Sequence, residues 1–137
     1  MTKTSHATAA LESAVDHCRD MHIAAVNAGD IAAAASRFTA DGVFLPPGTP
    51  ALKGIPAISN WFAQVFGMFQ IQGFNLQPAA VEPAGSIVIE HGQWSATFQP
   101  RNGSPAVAGS GTYLTVYAMQ PDGGVLMIRD TFNGLPG

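Results

Sequence analysis

The hydrophobic rhythm of the chain changes once, and that change restricts the fold more than any other feature. Before about Gly73 the apolar positions recur mainly at helical spacing; after it they fall in long runs rich in branched and aromatic residues. Leu11, Val15, Cys18, His22 and Val26 mark one helical face, with Glu12, Asp16, Arg19 and Asp20 elsewhere around the wheel. Gly29 closes this first helix. Asp30 is placed to cap a second, Ile31 to Arg37, its carboxylate accepting from the free amides of the first turn. A short strand follows, Gly42 to Leu45, and Pro46, Pro47 and Pro50 stop it because proline brings no N–H to a sheet ladder. "IPAISNWFAQVFGMF" suits a third helix, with Pro56 tolerated in its opening turn.

Beyond Gly73, the stretches Ser86 to Gln99, Ser110 to Gln120 and Val125 to Asn133 read as strands, and "FNLQPAAVE" as a weaker one before them. "PRNGSP" and "QPDGG" separate the last three, which makes them an antiparallel meander. Three helices followed by a sheet predict an α+β domain with the helices on one face of the sheet. There is no internal repeat. The 137 residues suffice for one core, so residues 1–137 are expected to form one domain, with the first eight or so disordered.

Composition narrows the partners. Only 11% of residues are charged and 47% are hydrophobic, which leaves little charge to hold copies apart and points to self-association, most simply a homodimer. A net charge of −3 with six Lys plus Arg and no basic cluster argues against a nucleic-acid partner. Cys18 is the sole cysteine, which excludes an internal disulfide and any multi-cysteine zinc site. The N-terminal stretch lacks a signal-peptide core and no run approaches a membrane span, so a cytoplasmic location without membrane partner is expected. The sequon Asn102-Gly103-Ser104 is then simply a turn.

Chemistry is sought where polar residues occupy faces that should be apolar. In the last strand, Asp130 alternates with Leu126, Ile128 and Phe132, opposite Val125, Met127, Arg129 and Thr131. A carboxylate in an apolar row either finds a partner or has its pKa raised by desolvation, and either outcome suits a general acid or base. A buried structural Asp bonded to a backbone amide or to Arg fits the pattern as well. His22 lies in the apolar stripe of the first helix, so its ring points inward, as a satisfied core residue or as a hydrogen-bond donor beside Asp130.

Glu90 shares a strand face with Val88, Trp94 and Phe98, and His91 faces the other way. That turns Glu90 inward, unless it is a solvated edge residue. Tyr113 and Tyr117 share a face and supply either hydroxyls or packing, and Trp61, Phe62, Phe66, Met68 and Phe69 crowd the third helix as core or pocket lining. Substrate contacts are assigned to Glu90, Trp61, Trp94, Tyr113, Phe44 and Phe132. No His-x-His or His-Glu-x-x-His spacing is present, so neither a metal nor another cofactor is expected. "AGSGTY" lacks the strand-to-helix setting of a phosphate loop, and its glycines are read as a bulge or bend. Cys18 is read as a small core residue.

"NAGD", "FTADGVFLPPG", "LKGIPAISNWF" and "GTYLTVYAMQPDGGVLMIRDTFN" together resemble the nuclear transport factor 2-like superfamily, and within it the SnoaL-like and ketosteroid isomerase-like small proteins. The resemblance runs from about Leu11 to Asn133. It implies a cone in which a curved sheet wraps around about three helices, a pocket open at one end with Pro46 to Pro50 at its rim, and dimerisation through the sheet. "RDTFNGL" is similar to the terminal segment of SnoaL-like cyclases, whose acid-base aspartate falls on Asp130. His22 falls where ketosteroid isomerases place an oxyanion-donating tyrosine. The isomerases' catalytic aspartate falls on Pro46 and their second oxyanion acid near Thr115, so a steroid isomerase of the usual kind is not expected.

These readings converge on a cofactor-free isomerase, cyclase or lyase of secondary metabolism, moving a proton beside the carbonyl of a hydrophobic, polyketide-like or polycyclic molecule. Asp130 and His22 are its catalytic pair. The alternatives are a ligand-carrying or oligomerisation domain and an epoxide-type hydrolase.

Overall fold

The first helix ends where its chemistry requires. In the computed structural model, which describes residues 2–134 with side chains from residue 8 onward, α1 (Thr2–Ala28) stops at Gly29. The backbone there turns left-handed, φ 66°, which glycine adopts without a Cβ penalty. Asp30 then caps α2 (Ile31–Ala35), its Oδ1 accepting from the Ala33 amide at 3.0 Å. The expectation for the first eight residues falls mostly on side chains outside the described range.

β1 (Phe38–Leu45) starts four residues earlier than the sequence suggests. Its pairing shifts register between Phe38 and Val43, and a Cβ on Gly42 would sit 3.1 Å from the Thr39 carbonyl, so glycine permits a tight irregularity there. After the proline loop come a short β2 (Leu52–Lys53) and α3 (Ile55–Met68), with Pro56 in its first turn. The chain passes directly from α3 into β3 (Phe69–Ala84), then β4 (Ile87–Pro100), β5 (Val107–Met119) and β6 (Val125–Phe132).

The six strands form one curved sheet in the order β2-β1-β6-β5-β4-β3. It is not wholly antiparallel: β1 lies parallel to β6, while every other pair is antiparallel. A parallel pair needs a long connection, and α3 with four strands provides it. Helix α1 packs on β3 and β6, α3 on β1, β2 and β3, and α2 between the two longer helices. Their buried faces, Val15, Cys18 and Val26 from α1 and Ile58, Phe62 and Phe66 from α3, meet Phe44, Val88, Trp94, Tyr117 and Met127 of the sheet. Asn27 ties α1 to β3 by two hydrogen bonds to Phe74, from its Nδ2 to the carbonyl at 3.0 Å and from the amide to its Oδ1 at 2.8 Å. Among the described residues, no helix is long and apolar enough to cross a membrane.

The glycines of "AGSGTY" mark no bulge against β4, since β4 and β5 pair without a register shift from Phe98–Val107 to Ile87–Ala118. They make room. A Cβ on Gly109 would lie 2.8 Å from the Phe98 ring and 3.2 Å from Trp94, and one on Gly111 would collide with the Asn133 carbonyl. Gly111→Ala is therefore expected to cost about 1–3 kcal/mol of stability by overpacking. A urea midpoint unchanged from the wild type would contradict that placement.

Candidate functional site

One row of side chains crosses the sheet and organises the site. Phe44 of β1 pairs with Asp130 of β6, Asp130 with Thr115 of β5, and Thr115 with Glu90 of β4. A second row, Phe132 beside Tyr113, runs next to it. The face on which these residues stand is set by a defect in β6. Its pairing with β5 steps from Val116–Arg129 to Tyr117–Met127, leaving Ile128 unopposed. Strict alternation therefore fails: Val125 and Met127 are buried, and beyond the extra residue the inward set becomes Asp130 and Phe132. Leu126 and Ile128, grouped with Asp130 by period-two counting, belong to the other face.

The sheet and helices enclose a cavity of about 90 Å³. Asp130, His22, Phe44, Trp61, Trp94, Tyr113 and Phe132 all line it, together with Thr115, Tyr117 and Arg19. Of the eight residues assigned to the site from sequence, only Glu90 is not in its wall. Glu90 is 0% exposed and lies behind the lining, so it meets no ligand directly. The proline loop does not line the cavity; Phe44 is the last residue of β1 to reach it.

Glu90 is held instead by a residue that polarity hid. Arg19, placed away from the apolar stripe by its charge, is buried and grips Glu90 with two nitrogens, Nε at 3.1 Å and a terminal nitrogen at 2.5 Å. Its other terminal nitrogen donates to Asp16 at 2.7 Å, and the Tyr113 hydroxyl donates to Glu90 at 2.6 Å. Burial disfavours the guanidinium charge, but the bonds to Glu90 and Asp16 outweigh it and hold Arg19 ionised. Burial and the bond to Glu90 hold Tyr113 as a phenol, and burial and the nearby Glu90 charge do the same for Tyr117. The helical spacing 15, 19, 22, 26 places Arg19 on the inner stripe, which was the available signal.

Asp130 is the half-buried end of the polar row, in the cavity wall. The Thr115 hydroxyl donates to its Oδ1 at 2.6 Å, leaving Oδ2 as the oxygen without a partner among the described residues. Burial pushes its carboxyl up to about 7, the Thr115 bond opposes this, and the Glu90 charge adds to it. His22 stands edge-on to Phe62 and Phe74, and its Nδ1 is buried without a hydrogen-bond partner. Burial, reinforced by the Arg37 charge, lowers it to about 4, so the ring is uncharged at neutral pH. Cys18 is buried and its thiol is pushed up to about 11 by desolvation, as suits an inert core residue. Among the described residues no group of three or more His, Cys, Asp or Glu could hold a metal ion.

The interior is otherwise aromatic and interlocked. Trp61 meets Phe44 at 4.9 Å and 89°, and Trp94 meets Phe132 at 5.5 Å and 83°. The Trp94 Nε1 donates to the Asn133 carbonyl at 2.7 Å, which fixes that ring from behind. The result is an aromatic recess in which the Asp130 carboxyl, the His22 imidazole and the Tyr117 hydroxyl, which has no hydrogen-bond partner among the described residues, are the polar groups free to meet a guest.

Comparison with known proteins agrees with the fold. The profile of the SnoaL-like domain matches residues 20–126. The fold is similar to that of a conserved protein from Planctomyces limnophilus, at 17% identity and a TM-score of 0.83, covering 92% of this chain and 97% of that one. It is similar to a ketosteroid isomerase-like protein from Erwinia carotovora, at 19% identity and a TM-score of 0.78, covering 93% and 95%. A nuclear transport factor 2-like superfamily protein from Salmonella enterica matches at 16% identity and a TM-score of 0.81, covering 93% and 92%. No curated protein matches the sequence.

Proposed function

The chain belongs to the SnoaL-like family of the nuclear transport factor 2-like superfamily, and on that footing we propose that it is a cofactor-independent acid–base catalyst acting on a hydrophobic carbonyl compound. The observation that carries this reading is Asp130. Its carboxyl faces an aromatic cavity, has one oxygen anchored by Thr115, and is poised near neutrality by burial. Above about pH 7 the carboxylate takes a proton from the carbon beside the carbonyl. His22 is uncharged and its Nδ1 is buried, so Nε2 is the nitrogen that donates to the oxygen as negative charge develops on it. Asp130 then returns the proton to the same or a neighbouring carbon, which gives exchange or isomerisation with no net change in protons.

The test is exchange of the α-hydrogens of a cyclic ketone in D₂O, followed by NMR with catalytic amounts of protein. Accelerated exchange supports the reading, and a rate equal to that of buffer contradicts it. The tightness of the cavity favours one second reading, carriage of the same ligand without chemistry, which predicts saturable binding and no exchange. Epoxide hydrolysis finds less support, because among the described residues Asp130 is the only carboxylate in the cavity wall and no second one stands beside it to hold water.

We also propose that the protein is a homodimer joined through the outer face of the sheet. Leu114 is 41% exposed there, and Ile89, Val116 and Ile128 are only half-buried around it. Leu114→Glu is expected to convert a dimer to a monomer in sedimentation velocity at micromolar concentration. A monomeric wild type, or a variant that stays dimeric, would rule this face out.

A further inference from the structure

The dimensions and charge of the cavity restrict what can enter it more sharply than the acid–base chemistry does. We infer that its ligand is an uncharged molecule built on one small ring with a single carbonyl oxygen, rather than a polycycle, an acid or an amine. This rests on reading the cavity as the reacting site. Its volume of about 90 Å³ lies below the roughly 300–1,000 Å³ of sites for larger ligands and below the about 150 Å³ of a cavity that accepts benzene. At that size the recess has room for no more than one small ring.

The walls resist enlargement. Trp94 is pinned by its bond to the Asn133 carbonyl and backed by Gly109 and Gly111, where no side chain can yield. Trp61 is wedged edge-on between Phe44 at 4.9 Å and Phe62 at 5.2 Å. A polycycle would have to displace several of these rings together, losing their mutual contacts.

Charge is excluded on separate grounds. Arg19, the one cation in the wall among the described residues, has its charge matched by the two-point contact with Glu90 and a further bond to Asp16. An incoming carboxylate would meet Asp130 and find no free positive partner. An ammonium would be stripped of water for a single carboxyl oxygen, since the other is engaged by Thr115. A carbonyl oxygen needs only the His22 donor, and the ring needs only the aromatic wall.

Trp61 and Trp94 both line the cavity, so intrinsic fluorescence reports its occupation. The protein at pH 7.5 is titrated with cyclohexanone, benzoate, cyclohexylamine and androst-4-ene-3,17-dione. Cyclohexanone is expected to give a saturable change with a Kd at least tenfold below those of benzoate and cyclohexylammonium, and the steroid no saturable change. Trp61→Ala opens the wall and is expected to bind the two-ring ketone 2-decalone at least fivefold more tightly than the wild type. Val65→Ala, also in the wall, serves if Trp61→Ala loses its circular dichroism. No saturation with cyclohexanone, or binding of the steroid, the acid or the amine as tight as that of the ketone, would overturn the inference. Saturable ketone binding without α-hydrogen exchange would sink the catalytic reading alone. Exchange confined to the steroid would sink this inference and leave that reading standing.

Discussion

Asp130→Asn is expected to lower ketone α-hydrogen exchange by about 10²–10⁴-fold, the usual contribution of a positioned general base, while leaving ketone binding within about twofold. Asparagine keeps the shape and still accepts from Thr115, but it has no lone pair basic enough to take the proton. The same change should alter stability in a pH-dependent way. The folded carboxyl titrates near 7, above its ordinary value of 3.8, so the folded protein holds this proton more tightly than the unfolded chain does. Its contribution to stability is full below about pH 4 and is lost as pH rises through 7, a difference on the order of 2–4 kcal/mol. Asp130→Asn should remove that fall, so urea midpoints of variant and wild type should diverge between pH 5 and 8 with the variant the more stable. Equal exchange rates, or parallel pH profiles, would show that the carboxyl is neither the base nor perturbed.

Arg19→Met is expected to destabilise the protein by about 3–5 kcal/mol, because it leaves Glu90 charged, fully buried and held only by the Tyr113 hydroxyl. The pair is a poor source of stability but a dangerous one to break. The triple variant Arg19→Met, Glu90→Leu, Tyr113→Phe removes the charges and the hydroxyl together and is expected to recover most of the loss, since an apolar filling of similar volume is commonly as stable as a buried ion pair. Chemical denaturation of the two variants decides the matter. If the single variant costs less than about 1 kcal/mol, Glu90 has water or another partner and the ion pair does not anchor the polar row.

Much of this architecture was legible in the sequence because it depends on local chemistry. Gly29 and Asp30 mark the first helix boundary through a left-handed turn and a cap, and the stripe containing His22 follows from helical spacing alone. The α+β organisation follows from the order of the elements, and the curved sheet around N-terminal helices is what the resemblance to the nuclear transport factor 2-like superfamily implies. What escaped reading depends on partners distant in sequence. The inward turn of Asp130 arises from a register step opposite Val116 and Tyr117, so alternation along β6 put it with the wrong neighbours, Leu126 and Ile128. The parallel alignment of β1 with β6 links Phe44 to Asp130 across more than eighty residues, and no local signal encodes it. Arg19 was hidden because its charge outweighed its position, although Glu90 on an inward strand face demands such a cation. β3 begins at Phe69 with no breaker after α3, so an aromatic run that continues a helix was read as helix to its end. The small volume of the cavity follows from ring packing among Phe44, Trp61, Trp94 and Phe132, which spacing places on the right faces but does not pack.

The proton affinity of one carboxyl underlies the chemistry and the pH dependence alike, and it can be measured without knowing the substrate. Labelling the aspartate side-chain carboxyl carbons with ¹³C and titrating by NMR, with the Asp130→Asn spectrum for assignment, should show the Asp130 resonance moving with a midpoint near pH 7. A midpoint near 4 for that resonance would mean that the carboxyl is solvated and ordinary, and the acid–base reading of the cavity would be wrong.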